Sequence, residues 1–451
     1  MHNRRRSLFL SIVFLFITII LCVADSTKFD VVIKNGRIVD GSGNPWFYAD
    51  LGIIAGKIAK IGWIDTSEAA QWLDAKNLVV APGFIDVHTH VEGGITRIPT
   101  ADNFLQMGVT TIVTGNCGGS WLQIGDSLRA LEARGISVNL ATLIGHNTVR
   151  RAVLKDEARE PAPDELSKMQ QLVEQAMRDG AVGLSTGLIY IPGTFAKTDE
   201  IIALAKIASQ YKGVYASHIR NEGNEVVAAI NEAIQIGEQA GLPVEISHFK
   251  ISSKKLWGQS QLTTSLIQQA RERGLQVTVD QYAYPASSTG LETQLPGWVL
   301  DGGREAAMAR LRDAKQRGQI KKEMLKNLRQ AGRKNYSHAF VANYRPDSTF
   351  NGKSIAEITK KLLRLEDAIR KMTSLPSQTF RFWDRGLIRE GFAADLVIFD
   401  PEKVIDRATF EAPHQYPNGI RYVLVNGQIV VRENQHTGAR AGKVLYGTGK
   451  I

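Results

Sequence analysis

The stretch Gly83–His90 reads GFIDVHTH, an apolar, β-branched run that ends in two histidines two residues apart. Six further runs of the same character follow: TTIVTGNC (110–117), VNLATLIGH (138–146), AVGLSTGL (181–188), GVYASHIR (213–220), PVEISHFK (243–250) and LQVTVDQYAY (275–284). Between them lie segments with apolar residues at three-to-four spacing, such as DELSKMQQLVEQAMRDG (164–180), TDEIIALAKIASQY (198–211), NEVVAAINEAIQIGEQAG (224–241) and TTSLIQQARERG (263–274). That spacing predicts helices, and several end at glycine, as helix C-termini do. Strands alternating with helices predict a parallel sheet. Seven such units, at the roughly thirty-residue spacing of βαβ repeats, predict an α/β fold: a (β/α)8-type barrel over residues 81–380 rather than an open sheet.

The ends of the chain have a different rhythm. FDVVIKNGRIVDG (29–41), ADLGIIAGKIAKIG (49–62) and AKNLVVAPG (75–83) are short alternating segments separated by Asn-Gly, Gly-Ser-Gly and Ala-Gly-Lys turns. EGFAADLVIFDPEKV (390–404) and IRYVLVNGQIVVRE (420–433) repeat the pattern, with an Asn-Gly turn before the last strand. These segments predict a small β-sandwich built from residues 29–80 and 381–451, enclosing the barrel.

Arg4, Arg5 and Arg6 followed by the apolar run Leu8–Val23 read as a secretory signal with cleavage after Ala24. The same run is long enough to serve, if retained, as a membrane anchor. The expected location is therefore exported, periplasmic or secreted, with membrane attachment as the alternative. The composition, 43% hydrophobic and 22% charged, is that of a soluble globular protein, and the net charge of +10 is partly carried by the ends. Basic residues lack the aromatic interleaving of a nucleic-acid groove, so no nucleic-acid partner is expected. The chain has two cysteines, Cys22 and Cys117. With Cys22 in the leader, Cys117 has no partner for a disulfide.

Catalytic groups of such a barrel gather at the C-terminal ends of its strands. There this chain places His88 and His90, Cys117, His146, His218, His248 and Tyr284, and five of the nine histidines are among them. His88 and His90, two apart on a strand, are expected to face the same side. Imidazole and thiolate are natural zinc ligands. A lone histidine in a core is usually a satisfied hydrogen-bonding group, but that does not explain an HxH pair with Cys117, His218 and His248 at equivalent positions of successive units. One or two zinc ions suit this set. Catalytic zinc acidifies water and polarises carbonyls, chemistry that hydrolyses amides with a carboxylate to move the proton.

GFIDVHTH with paired histidines further along and a split sandwich resembles the amidohydrolase superfamily. VTTIVTGNCG (109–118), GAVGLSTGLIYIPG (180–193), YASHIRNEG (215–223), EISHFK (245–250) and DQYAYPASST (280–289) resemble, more narrowly, the N-acyl-D-amino-acid deacylases, or D-aminoacylases. So do KMTSLPSQTF (371–380), DRGLIREGFAADLVIFDP (384–401) and PHQYPNGIRYVLVNGQIVV (413–431). The resemblance implies a zinc-dependent hydrolase that deacylates small-molecule N-acyl-D-amino acids. It implies zinc on Cys117, His218 and His248, with His88 and His90 beside Cys117 at a weaker second position. It implies contact of Lys250 and Tyr284 with the substrate's carboxylate or acyl group, Arg220 and Glu222 at the pocket mouth, and His146 behind the ligands. The metal-bridging lysine of many relatives is absent from AVGLSTGLIY (181–190), in keeping with the cysteine-bridged branch.

One departure stands out. The family carries a metal-facing aspartate on strand 8, in a Ser-Asp-Gly-type stretch, and no match for it is found. QLPGWVLDGGREAAMARLRDAKQRGQIKKEM (294–324) matches an insertion, at about 290–355, that precedes strand 8. NGKSIAEITKKLL (351–363) then runs straight into RLEDAIRKMTSLP (364–376), the helix that should follow strand 8. The join near Leu362–Leu365 reads as an internal deletion that removes strand 8. A rival places strand 8 in AFVANYRPD (339–347), with Asp347 as the base, whereas Asp367 and Asp395 fall on a helix and in the sandwich. A catalytically impaired homologue is therefore the second functional expectation. A cyclic-amide hydrolase of the dihydroorotase or hydantoinase kind is the third.

Overall fold

The computed structural model describes residues 29–282, 287, 289–333, 365–409 and 415–450. Tyr284, Asp347, the leader and residues 362–364 of the join lie outside the described residues.

The first sheet gathers β1 (Phe29–Ile38), β2 (Phe47–Ile54), β3 (Lys57–Gly62), β4 (Ala69–Asp74) and β5 (Val79–Pro82) from the N-terminal end. From the other end come β14 (Leu396–Phe399), β15 (Ile420–Val425), β16 (Gln428–Arg432) and β17 (Gln435–His436). They form one nine-stranded sheet, joined where β5 pairs antiparallel with β14. The sheet bends back on itself: Gln71 of β4 meets Arg432 of β16, and Gly56 lies against Asn426 and Gly427. Ile33, Leu51, Ile58, Val80, Leu396 and Leu424 share the core that it encloses.

Asn426-Gly427 is the β15–β16 hairpin turn, with φ +46 and +80 as a two-residue turn of this type requires. Asn35-Gly36, expected to be a turn, is instead a bulge within β1. Asn35 N donates to Asp50 Oδ1 at 2.9 Å, and a Cβ on Gly36 would stand 2.7 Å from Val80 Cγ2. The chain therefore kinks without reversing.

Asp50 has no exposed surface, and Lys34 Nζ is 2.7 Å from it. Burial pushes its carboxyl up, but hydrogen bonds from Lys34, Asn35 and Ile64 more than offset this and hold it below the ordinary carboxylate value. Its contribution to stability is thus fully present above about pH 4 and is lost as pH falls through the lower folded-state value. Asp50→Asn is expected to destabilise the sheet by roughly 3 kcal/mol at neutral pH, with the deficit shrinking on acidification. Urea unfolding of both proteins at pH 7 and pH 3.5 checks this. An equal deficit at both pH values would contradict it.

The middle of the chain supplies parallel strands: β6 (Phe84–Asp86), β7 (Val109–Thr114), β8 (Asn139–Thr142), β9 (Ile144–Gly145), β10 (Gly183–Gly187), β11 (Val214–His218), β12 (Val244–Ile246) and β13 (Val277–Val279). All seven predicted runs carry one, and the third is split into β8 and β9. β6-β7-β8 form one ladder, and β9 to β13 form another in chain order. Every residue of β7, β10 and β11 is buried, because helices cover one face and the barrel interior the other. Pro163–Arg178 is one such helix. Proline opens it, Asp164 and Glu165 fill its first turn, Arg178 closes it, and it buries Met169, Val173, Ala176 and Met177.

Inside the barrel, Ile85, Val113, Ala141, Leu143, Val182 and Ala216 pack on Phe380 and Phe382. The C-terminal tail is stitched to the barrel by Leu445 N on Leu140 O (2.6 Å) and Gly447 N on Gly180 O (2.8 Å). Among the described residues β13 and β6 are ladder ends, as are β8 and β9. Helix Leu365–Met372 packs against β6.

Candidate metal centre

Five predicted ligands meet at the mouth of the barrel. Cys117 Sγ lies 3.3 Å from His88 Nε2, 3.4 Å from His218 Nδ1 and 3.8 Å from His248 Nε2, and the last two nitrogens are 2.8 Å apart. Two triads share the thiol: His88, His90 and Cys117, and Cys117, His218 and His248, each with its donor atoms within 4.8 Å of one another. Four-coordinate zinc at its usual bond lengths separates its sulfur and nitrogen ligands by about 3.3–3.6 Å. The observed spacings bracket that value, so the donor set fits one or two such ions.

Backbone geometry aims these side chains. Cys117 has φ +51 and His248 φ +37, conformations that non-glycine residues rarely adopt and that typically cost about 1–3 kcal/mol. β7 ends at Thr114 and the chain folds over through Gly118 (φ +76), where a Cβ would stand 2.1 Å from Asn147 Oδ1. His88 and His90 do not sit on a strand, as their spacing predicted. β6 ends at Asp86, and the pair occupies the segment beyond it, with ring centroids 5.4 Å apart. The strand terminates there because Asp86 Oδ1 accepts His88 N at 3.0 Å, turning the chain inward.

The electrostatics match a metal thiolate. Burial pushes the Cys117 thiol up, but hydrogen bonds from His218, His248 and His88 outweigh it and hold the group well below its ordinary value. Burial lowers His88, yet its bonds to Asp280 and Cys117 raise it to about 10. Burial leaves His218 below its ordinary value. Metal binding must displace the protons that remain on this set.

Around the ligands stand three carboxylates, each engaged. Asp86 holds His88 N. Glu222 Oε1 lies 2.7 Å from His248 Nδ1 and 2.5 Å from Lys250 Nζ. Asp280 Oδ2 lies 2.9 Å from His88 Nδ1, and its Oδ1 accepts His248 N at 2.5 Å. Behind Asp280, Glu245 on β12 is bonded to Thr278, and burial with the Asp280 charge pushes it up to about 8. Tyr190 packs edge-on against His218, with centroids 4.9 Å apart. Asp280 and Tyr190 were not singled out from the sequence, although Asp280 lies within the run 275–284 and Tyr190 two residues past the run 181–188.

The remaining candidates fall in different places. His146 does not stand behind the ligands. It starts helix His146–Leu154, and its Nε2 is 2.8 Å from Glu200 Oε1 on helix Thr198–Gln210, in a buried network with Arg150. Arg220 binds Glu232 and the carbonyls of Thr194 and Ala196, which ties loops together and leaves it none of the ligands as partners. Lys250 does face the site, beside His248 and 5.5 Å from the Tyr282 ring. Asp367 lies on helix Leu365–Met372. Asp395 is buried against Arg385 and Asn139, where it locks the sandwich to the barrel.

The sequence profile of the amidohydrolase family matches residues 71–340 and 339–431. The D-aminoacylase of Alcaligenes xylosoxydans xylosoxydans is 36% identical over 483 aligned positions, which cover 94% of this chain and 99% of the relative. The chain belongs to the amidohydrolase family, among the N-acyl-D-amino-acid deacylases. That alignment is longer than the 451 residues of the chain, so the relative has residues without a counterpart here.

Two solved structures agree. One, of D-aminoacylase, described for its binuclear metal centre with one-metal activation and second-metal attenuation, superposes with a TM-score of 0.76 at 31% identity, over 93% of this chain and 100% of that one. The other, N-acyl-D-glutamate deacylase from Bordetella bronchiseptica with zinc and a phosphonate mimic of the tetrahedral intermediate, gives 0.75 at 32% identity over the same shares.

Proposed function

We propose that this amidohydrolase uses zinc to hydrolyse the acyl–nitrogen bond of N-acyl-D-amino acids. The observation that carries the proposal is the single thiol of Cys117 shared by two histidine pairs, in a fold with no lysine in the fourth barrel run. When bound, zinc supplies a Lewis acid for the acyl carbonyl and an acidified water. The chain's own residues do the rest. Cys117, His218 and His248 would hold one ion, and His88 and His90 with Cys117 would hold a second. Lys250, its ammonium beside His248, offers a positive charge to the substrate's carboxylate. Tyr284 is proposed as a second contact to substrate.

The carboxylate expected on strand 8 has no counterpart among the described residues, and Asp86, Glu222 and Asp280 are all engaged with the ligands. General acid–base groups contribute roughly 10²–10⁴-fold, so slow turnover is part of the proposal. The test is a panel of N-acetyl-D-amino acids, N-acetyl-L-amino acids and cyclic ureides with zinc added, against a chelated control. Zinc-dependent release of acetate from the D-forms is expected. Rates equal to the chelated control, or a preference for L-forms or cyclic ureides, would reject the assignment. We also propose export directed by residues 1–24, on the leader pattern alone. N-terminal sequencing of the mature chain should then begin at Asp25.

A further inference from the structure

Asp280 is the residue immediately after β13, and both of its oxygens are in use. Oδ2 lies 2.9 Å from His88 Nδ1, and Oδ1 accepts the backbone N–H of His248 at 2.5 Å. One side chain thus grips a member of each donor triad. It also spans a seam, because β13 and β6 are ladder ends among the described residues and the Asp280–His88 contact bridges the two runs.

We propose that Asp280 is the positioning residue of the metal centre, fixing the His88 ring and the His248 backbone together. The reason lies in the count of donors. The His248 N–H can only donate. For His88 to turn the Nε2 lone pair toward the metal side, where it lies 3.3 Å from Cys117 Sγ, its Nδ1 must carry the proton and donate as well. Two donors need two acceptors from one side chain, and a carboxylate supplies them. An amide in its place has one oxygen and one NH₂, so one donor loses its partner. If the NH₂ faces His88, the ring is driven to the other tautomer, with a proton on Nε2 where a metal would bind. If it faces His248, the bond that holds the φ +37 backbone of that ligand is lost.

The proposal rests on the preceding section only in taking this cluster as a metal centre. Its test needs no hydrolysis. The full chain, freed of metal, is titrated with Co²⁺ and followed by thiolate-to-cobalt absorbance, for wild type and Asp280→Asn. The expected result is a 10–100-fold loss of affinity in the variant, greatest for the weaker equivalent that includes His88. A seam-closing role alone would lower the melting temperature and leave the Co²⁺ affinities within threefold, which would overturn the proposal. So would a wild-type chain that binds no Co²⁺. Weakened Co²⁺ binding in the variant, with no deacylase activity in either protein, would uphold the role of Asp280 and reject the proposed function.

A second measurement serves if the variant does not fold. In the zinc-loaded native chain labelled with ¹⁵N-histidine, the Nδ1–H of His88 should be protected from solvent exchange by its carboxylate partner. Rapid exchange of that proton would overturn the proposal.

Discussion

Cys117→Ser is expected to abolish metal retention and, with it, deacylation. The thiol is the one donor common to both triads, so its loss leaves two isolated histidine pairs. The surrounding imidazoles hold Cys117 well below the ordinary thiol value against the cost of burial, so the thiolate that metals bind is already favoured. A serine hydroxyl offers no such anion at neutral pH. Removing an outer partner of a ligand typically costs 10–100-fold, and loss of the shared ligand should exceed the upper end of that range. Zinc content after dialysis and the rate with added zinc are the two readouts. A variant that keeps its zinc and turns over at the native rate would refute both the shared-ligand geometry and the function built on it. The fold should survive, because Cys117 sits beyond the end of β7 and its thiol contacts His88, His218 and His248 rather than the core.

The second large effect is expected far from the metals. Glu200 is 6% exposed, and its two oxygens lie 2.8 Å from His146 Nε2 and 2.7 Å from Arg150 Nη1, both on residues with no exposed surface. Glu200→Ala leaves the Arg150 guanidinium buried with only the carbonyls of Glu157 and Arg159 as hydrogen-bond acceptors. Arg150 Nε already has no hydrogen-bond partner. Stranding a buried charge in this way costs about 3–5 kcal/mol. The expected observation is a lower urea midpoint for the metal-free protein, with the stoichiometry of bound zinc unchanged in the folded variant. Loss of zinc without loss of stability would instead place His146 behind the metal ligands, as the sequence had suggested.

His146 shows where linear reasoning stops. It ends a barrel run just as His218 and His248 do, so its position along the chain assigns it to the site. Whether its ring turns toward the barrel axis or out between helices depends on the next residues, and here they open a helix that carries it to Glu200. His88 and His90 teach the reverse. Their convergence was foreseen, but on the premise of a strand that in fact ends two residues earlier, where the Asp86 side chain takes His88 N. Asn35-Gly36 was read as a reversal because the dipeptide suits one. The neighbouring carboxylate of Asp50 instead makes it a bulge.

The sequence by itself determined the βα rhythm of the middle, the split sheet built from both ends and the five donors of the metal centre. Each of these is carried by a local signal: apolar periodicity, turn residues, or a residue type at the end of a run. Only the tertiary structure decided that Asp280 grips both triads, that Glu222 joins His248 to Lys250, and that Arg220 and His146 take Glu232 and Glu200 as partners rather than the ligands. These are contacts between strands and loops far apart in the chain. Their existence depends on side-chain direction at strand ends, and there a few degrees of φ, as at Cys117 and His248, decide what a residue touches.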